Sequence, residues 1–349
     1  MTFKSFDLST TNRYIRQIRF PPLGDEGQRR LASARALICG CGALGSAIAN
    51  TLVRAGVGAV RIVDRDFVEL SNLSRQALFD EADASAGLPK AVAAAEKLRR
   101  INSSVEIEPV VADVNHANVE RFCDGADVIL DGTDNFETRF LLNDAAVKLR
   151  LPWIYGGCVG AEGQTMTILP GETACLRCLM ETCPQPGSTP TCDTAGILGP
   201  IVGVIASIEA AEAIKILSGN RDAVSRHLTV VDIWRNHIKQ VDVSRLREQV
   251  DCPTCKRGEY PWLSGREGGR SAVLCGRNAV QLSNPGKSIS LDDLAKRLAG
   301  IGSITQNQYL LRLKVPPHEI TVFPDGRAII SGTDDISAAR TLYAKYIGS

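Results

Sequence analysis

The stretch Ala36-Leu37-Ile38-Cys39-Gly40-Cys41-Gly42-Ala43-Leu44-Gly45, followed by Ala59-Val60-Arg61-Ile62-Val63-Asp64, decides the fold. Its first four residues form an apolar run bounded by glycine, the pattern of a parallel strand covered on both faces. Gly40, Gly42 and Gly45 then supply a G-x-G-x-x-G turn, and Ser46 to Gly56 reads as a helix closed by glycine. Residues 59–63 give a second strand, completing a β-α-β unit of about 30 residues. Amides exposed at the start of that helix, together with its dipole, favour phosphate. Asp64 ends the second strand nineteen residues past Gly45, where a carboxylate accepts hydrogen bonds from ribose hydroxyls. The plainer alternative is a glycine turn and a strand-end acid with no ligand.

Outward from this unit the alternation continues. Residues 90–101 read as a helix, 105–111 as a strand, 118–123 as a short helix, 126–130 as a buried strand and 136–149 as a helix, and the sheet resumes at 153–155. Alternation of this length builds an α/β, Rossmann-like, doubly wound and mostly parallel sheet. Ahead of it, residues 1–33 read as an N-terminal arm carrying Arg13, Arg16 and Arg19, with Pro21-Pro22 stopping any helix there. Between Cys175 and Pro200 the prolines at 184, 186 and 190 and Gly187 break regular structure and predict a loop. Residues 201–217 form a long apolar, Ala-rich helix that has to be buried. The main domain therefore spans 34–256, a charged and Gly-rich linker 257–270, and a small C-terminal α+β domain 271–349. In that last piece, strands are expected around Val273 and at 309–315, 320–323 and 328–330, with helices at 291–298 and 336–346.

Composition narrows the function. A length of 349 residues suggests two domains. Forty Lys plus Arg against thirty-nine Asp plus Glu leave a formal charge of +1, so there is no overall basic field to hold nucleic acid or an anionic membrane. The uncharged stretches 36–53 and 194–208 are too short or too polar to span a bilayer. No secretion signal is legible at the start, which predicts a cytoplasmic protein, and eleven cysteines in such a chain argue for thiols and metal over disulfides.

After Asp64 the chain departs from a dehydrogenase pattern. Asn72, Arg75 and Gln76 lie in Ser71-Asn72-Leu73-Ser74-Arg75-Gln76, and Lys90 follows fourteen residues past Gln76. Two cations and two amides near a nucleotide site suit a triphosphate that loses pyrophosphate and develops several negative oxygens. Asp131 and Asp134, in Asp131-Gly132-Thr133-Asp134, sit where open α/β sheets bind ligands, and Asp134 is the candidate Mg²⁺ ligand. Solvated Arg75 and Lys90, and an Asp131 that merely caps the turn, remain as alternatives. Cys175-x-x-Cys178 and Cys252-x-x-Cys255 each offer two corners of a tetrahedral, closed and structural Zn²⁺ site. Separated by 73 residues, the pairs would pin a late segment back onto the domain. A thioredoxin-like redox pair is the rival reading of one C-x-x-C, although neither pair opens a helix after a strand.

Taken together, these residues resemble the ThiF/MoeB/HesA family, bacterial relatives of ubiquitin-activating enzymes. The match runs from Arg13-Tyr14-Ile15-Arg16-Gln17 through the glycine turn, Asp64-x-Asp66, Ser71-Asn72-Leu73-x-Arg75-Gln76, Lys90 and Thr133-Asp134-Asn135 to both cysteine pairs. The resemblance implies that 34–256 is an adenylyltransferase domain. It would use ATP and Mg²⁺ to adenylate the C-terminal glycine carboxylate of a small ubiquitin-like sulfur-carrier protein ending in Gly-Gly, releasing pyrophosphate. It further implies Asp64 on the ribose, Asn72, Arg75, Gln76 and Lys90 on the phosphates, Asp134 on magnesium, and Arg16 reaching in from the second subunit of a homodimer. Cys192 links covalently to the activated carrier in ThiF-like members and is dispensable in MoeB-like ones, with Cys183 in the same loop as a competitor. A sulfur-donor protein is a further implied partner. The competing function is a nicotinamide-dependent oxidoreductase using the same glycine turn, but none of the four histidines falls beside a motif. At the tail, Cys275 comes too early in a short module for a rhodanese, so a docking or oligomer-supporting module is expected there, with a sulfur relay through Cys275 as the alternative.

Overall fold

The protein is described by a computed structural model covering residues 8–185, 188–268, 271–274, 278–282 and 288–348. It divides into two compact units, Met1–Pro184 with Ile197–Glu267 and Gln185–Gly196 with Gly268–Ser349.

The first unit is built on an eight-stranded sheet. Its strands are β1 (Arg35–Cys39), β2 (Ala59–Asp64), β3 (Glu106–Val111), β4 (Val128–Asp131), β5 (Trp153–Val159), β6 (Glu162–Ile168), β7 (His227–Asp232) and β8 (His237–Asp242), in the order β3-β2-β1-β4-β5-β6-β7-β8. The pairs from β3 to β5 are parallel and those from β5 to β8 antiparallel. Strand order reverses between β1 and β4, the switch point where such sheets bind ligands. Period-two alternation sorts the strand residues onto two layers. Ala36, Ile38, Val60, Ile62, Leu130 and Ile154 face helices Ala43–Ala55, Lys90–Ile101 and Gly199–Leu217, while Leu37, Cys39, Ile129, Trp153 and Tyr155 face helix Phe136–Leu149. Both faces of the central strands β1 and β4 are thus buried, as their uninterrupted apolar runs require, whereas the edge strand β3 buries fully only Ile107.

Residues 8–33, expected from their prolines to be an arm, are largely helical. Leu8–Ile18 and Gly24–Ser33 are helices, with Pro21-Pro22 in the turn between them. Tyr14 anchors the first helix: its ring is buried against Gly56, and its hydroxyl accepts a hydrogen bond from Asn102 Nδ2 at 2.8 Å. Strands β6 to β8 also lack a clear signal in the sequence. β7 and β8 form a hairpin, β6 pairs with β7 only after the chain has passed through helix Gly199–Leu217, and every residue of the edge strand β8 is exposed, which erases the hydrophobic alternation. Trp234, in the turn leading into β8, is 80% exposed. Helix Gly199–Leu217 carries two buried acids, Glu209 and Glu212, on its core face. No helix among the described residues is long and apolar enough to cross a membrane.

The second unit is α+β. Its strands β9 (Ser271–Leu274), β10 (Ala279–Leu282), β11 (Ser303–Gln306), β12 (Leu311–Val315), β13 (His318–Val322) and β14 (Ala328–Ser331) form an antiparallel sheet in the order β11-β12-β13-β14-β10-β9. Helices Leu291–Leu298 and Ile336–Tyr346 bury Leu294, Leu298 and Tyr343 in a core shared with Leu311, Leu313, Val322 and Ile330. Cys275 lies outside the described residues.

Candidate functional site

Two backbone turns meet at the switch point because neither carries side chains there. Gly40 adopts φ +87°, and a Cβ on it would stand 2.5 Å from the Gly132 carbonyl oxygen; a Cβ on Gly45 would stand 1.8 Å from the Gly40 carbonyl oxygen. The glycine turn after β1 and the 132–135 turn after β4 are therefore pressed together, and the start of helix Ala43–Ala55 is left facing the sheet edge. Gly42 looks toward Gln76, whose Nε2 lies 3.9 Å from the position of an added Cβ.

Below this loop lies a row of charge. Asp64 accepts hydrogen bonds from the backbone N–H of Cys41 at 2.5 Å and of Asp66 at 2.6 Å, tying β2 to the glycine turn. Each carboxylate oxygen keeps a lone pair for a further donor such as a ribose hydroxyl. Burial pushes the Asp64 carboxyl above its usual range, and Lys90 is the largest opposing influence. Lys90 opens helix Lys90–Ile101, is only 4% exposed, and holds its Nζ 3.4 Å from Asp66 Oδ2. It is thus a buried cation inside the row, and the solvated alternative is set aside. Arg65, half-buried, extends the row, pairing with Asp113 at 2.9 Å; Asp113, Asp66 and Asp134 hold it charged.

Residues 70–76 close one side. Asn72 is buried and its Oδ1 accepts from the Glu69 N–H at 3.2 Å; its carbonyl receives the N–H groups of Arg75 and Gln76. Half-buried Arg75 donates from Nη1 to the Ser71 carbonyl at 2.9 Å. Gln76 is 3% exposed, and its Oε1 has no hydrogen-bond partner among the described residues. An orphaned buried amide oxygen beside a glycine cradle is what a site awaiting a polar ligand leaves behind.

Opposite, the two aspartates of the 131–135 turn divide their tasks. Asp131 is fully buried and its Oδ1 accepts from the Thr133 N–H at 2.9 Å and the Thr133 hydroxyl at 2.7 Å, so it does cap the turn. Asp134 is exposed at the sheet edge, and its charge is felt by both Arg65 and Arg139. An exposed carboxylate at the C-terminal end of a strand, beside the glycine cradle, fits a Mg²⁺ that keeps waters and shares phosphate oxygens. Arg139 was not singled out from sequence, yet it sits at the centre of this side. The available signal was a cation in the first turn of helix Phe136–Leu149, where the dipole disfavours it unless a partner is waiting. Its partners are the Thr133 and Gly156 carbonyls and Asp131. On the other face of β5, Glu209 is fully buried with neither oxygen hydrogen-bonded, and burial pushes its carboxyl well up. Gly156 makes room for it, since a Cβ there would lie 1.9 Å from Glu209 Oε1.

The four cysteines of the two C-x-x-C pairs converge. Cys175 and Cys252 sulfurs are 3.6 Å apart, Cys178 and Cys255 3.5 Å, and Cys175 and Cys178 3.9 Å. Four sulfurs about 2.3 Å from a central Zn²⁺ in a tetrahedron are separated by about 3.8 Å. The geometry therefore fits a closed four-thiolate metal site and rules out S–S bonds between these atoms. The centre staples the chain: Asn143 Oδ1 accepts from the Leu176 N–H, while Asp144 accepts from Thr254 Oγ1 at 3.3 Å and from the N–H groups of Trp262 and Leu263.

Burial raises Asp144 from 3.8 to about 6 despite those hydrogen bonds. The folded state thus binds a proton more tightly than the unfolded chain. Asp144's contribution to stability is complete below pH 4 and is lost as pH rises to 6, a change of about 3 kcal/mol. Urea unfolding between pH 4 and 7 is expected to show that decline in the wild type and to lack it in Asp144→Asn; parallel profiles would refute the assignment.

Arg16 is not brought to the site within one chain. It is exposed on helix Leu8–Ile18, which packs at the far end of helix Lys90–Ile101: Arg13 Nη1 donates to the Ile101 carbonyl and Tyr14 meets Asn102. Lys90 occupies the other end, about 17 Å away along the helix axis. Cys183, in the first unit, is half-buried, and burial with Glu137 and Glu267 pushes its thiol up to about 11. Cys192 belongs to the second unit, where it starts the one-turn helix Cys192–Ala195, capped by Thr191.

Comparison with known proteins finds relatives along most of the chain. The sulfur carrier protein ThiS adenylyltransferase of Bacillus subtilis (strain 168) is 45% identical over 340 residues, which cover 97% of this chain and 100% of that protein. The SAMP-activating enzyme E1 of Haloferax volcanii is 39% identical over 254 residues, 73% of this chain and 92% of that one. Among solved structures, Escherichia coli MccB bound to MccA-N7isoASN superposes with a TM-score of 0.62 at 23% identity, covering 70% of this chain and 75% of that chain, a likeness of fold. A sequence model described as the ThiF family matches residues 14–254, from the Tyr14 anchor to Thr254 within the second cysteine pair. With more than half its length inside that match, the chain belongs to the ThiF family.

Proposed function

We propose that the protein binds ATP with Mg²⁺ and adenylates the C-terminal glycine carboxylate of a small ubiquitin-like sulfur-carrier protein, releasing pyrophosphate. The relative aligned along its entire length acts on ThiS, which makes a ThiS-type carrier ending in Gly-Gly the first candidate. One observation carries the reading: Lys90, buried beside Asp64 and Asp66, lies under the same glycine turn that packs against the Asp134 turn. Attack of a carboxylate on an α-phosphate brings anion to anion, and a buried cation that needs no reorganisation lowers that barrier. The attacking carboxylate is already ionised at neutral pH, so no general base is required. In this reading Asp64 orients the ribose, and Gly40, Gly42 and Gly45 let the phosphates approach the backbone. Asn72, Arg75, Gln76 and Lys90 hold the phosphates. Asp134 would hold Mg²⁺, which supplies charge neutralisation at the phosphate oxygens.

Arg16, exposed on a helix that packs at the end of helix Lys90–Ile101 opposite to Lys90, suits a role in the site of a second copy. The four cysteines would hold a structural Zn²⁺, and a reducing cytoplasm keeps such thiols available. Cys192 is the candidate for a covalent link to the activated carrier, with Cys183 as its competitor, and a sulfur-donor protein is a further proposed partner. The second sequence reading, nicotinamide-dependent hydride transfer, has no support from the named relatives.

Carrier-dependent exchange of labelled pyrophosphate into ATP tests the proposal. Exchange is expected with a ThiS-type carrier, to vanish in Asp134→Ala and in Arg16→Ala, and to return to about a quarter of the wild-type rate when the two variants are unfolded and re-paired together, since half the dimers then hold one intact site. No exchange with any Gly-Gly carrier would refute the activity. Failure of the mixture to recover would refute the placement of Arg16 across a dimer.

A further inference from the structure

Thr133, the residue before Asp134, has every polar atom held. Its N–H and hydroxyl donate to Asp131 Oδ1 at 2.9 and 2.7 Å, and its carbonyl accepts from Arg139 Nη2 at 2.8 Å. The same Nη2 donates to the Gly156 carbonyl of β5 at 3.0 Å. Arg139 Nε stands 3.3 Å from Asp131 Oδ2, an ion pair whose angles fall short of a hydrogen bond. The guanidinium lies over Gly157, where a Cβ would come 3.1 Å from Nη2, and between the rings of Phe136 and Tyr155 at 5.3 and 5.4 Å. Arg139 and Asp131 are both buried, so this arrangement is shielded from water and rigid. The Thr133 carbonyl belongs to the peptide plane that leads into Asp134. Fixing that plane fixes the direction in which the exposed Asp134 carboxylate leaves the turn.

We propose that Arg139 is a positioning residue for the adenylation, locking the Thr133–Asp134 peptide to β5 and so setting where the Asp134 carboxylate stands. This rests on the reading that Asp134 holds the metal. Arg139 reaches across three elements because a planar fork can serve two carbonyls and a carboxylate at once. A lysine, with a single nitrogen, can keep the charge but not the fork.

The test compares wild type, Arg139→Lys, Asp134→Asn and the double variant by calorimetric binding of ATP at increasing Mg²⁺, with thermal melting as the check on folding. Arg139→Lys is expected to bind metal-free ATP as the wild type does and to need about tenfold more Mg²⁺ to tighten that binding, in line with substitutions behind metal ligands. Asp134→Asn is expected to shift the requirement at least as far, with the double variant no worse than Asp134→Asn alone. A wild-type Mg²⁺ requirement in Arg139→Lys alongside a shift in Asp134→Asn overturns the positioning role, as does an additive double variant. No shift in Asp134→Asn overturns the metal reading, and this inference with it. If Arg139→Lys melts far below the wild type, Thr133→Ala replaces it: loss of one of the three ties should shift the Mg²⁺ requirement in the same direction by about threefold, and no shift overturns the proposal.

Discussion

Removing the metal from the four-cysteine centre, or replacing Cys252 by serine, is expected to lower the melting temperature by about 20 °C or more. A four-thiolate Zn²⁺ contributes about 10 kcal/mol to the fold that creates it, as much as the whole stability of many domains. Here that energy is applied at one place. Cys252 and Cys255 meet Cys175 and Cys178, and the chain beyond them packs Trp262 against Phe140 at a ring distance of 5.7 Å while Asp144 receives the backbone of 262–263. Four thiols held within 4.8 Å of one another cannot all ionise without a cation, because thiolates at that distance repel. Such a cluster relaxes apart. A chelator titration followed by thiol counting should release one zinc per chain together with four reactive cysteines. Full loss of zinc with an unchanged melting temperature would show that the centre does not carry the fold.

Lys90→Met is expected to reduce pyrophosphate exchange by about a thousandfold, at the upper end for loss of one preorganised charge in an active site. Two effects combine and can be separated. Lys90 pairs with half-buried Asp66 at 3.4 Å and opposes the elevation of the buried Asp64 carboxyl, so its loss leaves Asp66 facing Arg65 at 3.8 Å and Asp64 without that opposing cation, at a cost of about 3 kcal/mol of stability. Adding Asp66→Asn removes the carboxylate that has lost its Lys90 partner and should recover most of the stability. It should recover none of the activity, because the cation opposite the phosphates is still missing. Exchange restored along with stability would mean that Lys90 serves the fold alone.

These outcomes bear on how much was legible beforehand. The glycine turn, Asp64 and the β-α-β unit were readable because each is a local rule: an apolar run, residues without a Cβ, a carboxylate at a fixed distance. Both cysteine pairs were readable as metal ligands from spacing, although only the folded chain brings sulfurs 77 positions apart to 3.5 Å. Strands β6 to β8 and helix Leu8–Ile18 were not legible. An exposed edge strand has no alternation, and the first helix owes its place to tertiary contacts of Arg13, Tyr14 and Gln17.

By itself, the sequence determined the α/β class, the glycine turn at the sheet edge and the residue types around it, because periodicity and glycine placement act over a few neighbours. The tertiary structure alone decided which charges are buried and whom they face. Lys90 became the partner of Asp66, Asp131 became a cap and Asp134 stayed open, while Arg139 was drawn from a helix to span a turn and a strand. Arg16 was left at the far end of a supporting helix. The physical reason is that desolvation and pairing depend on the distance between residues far apart in the chain, a quantity that no local pattern contains.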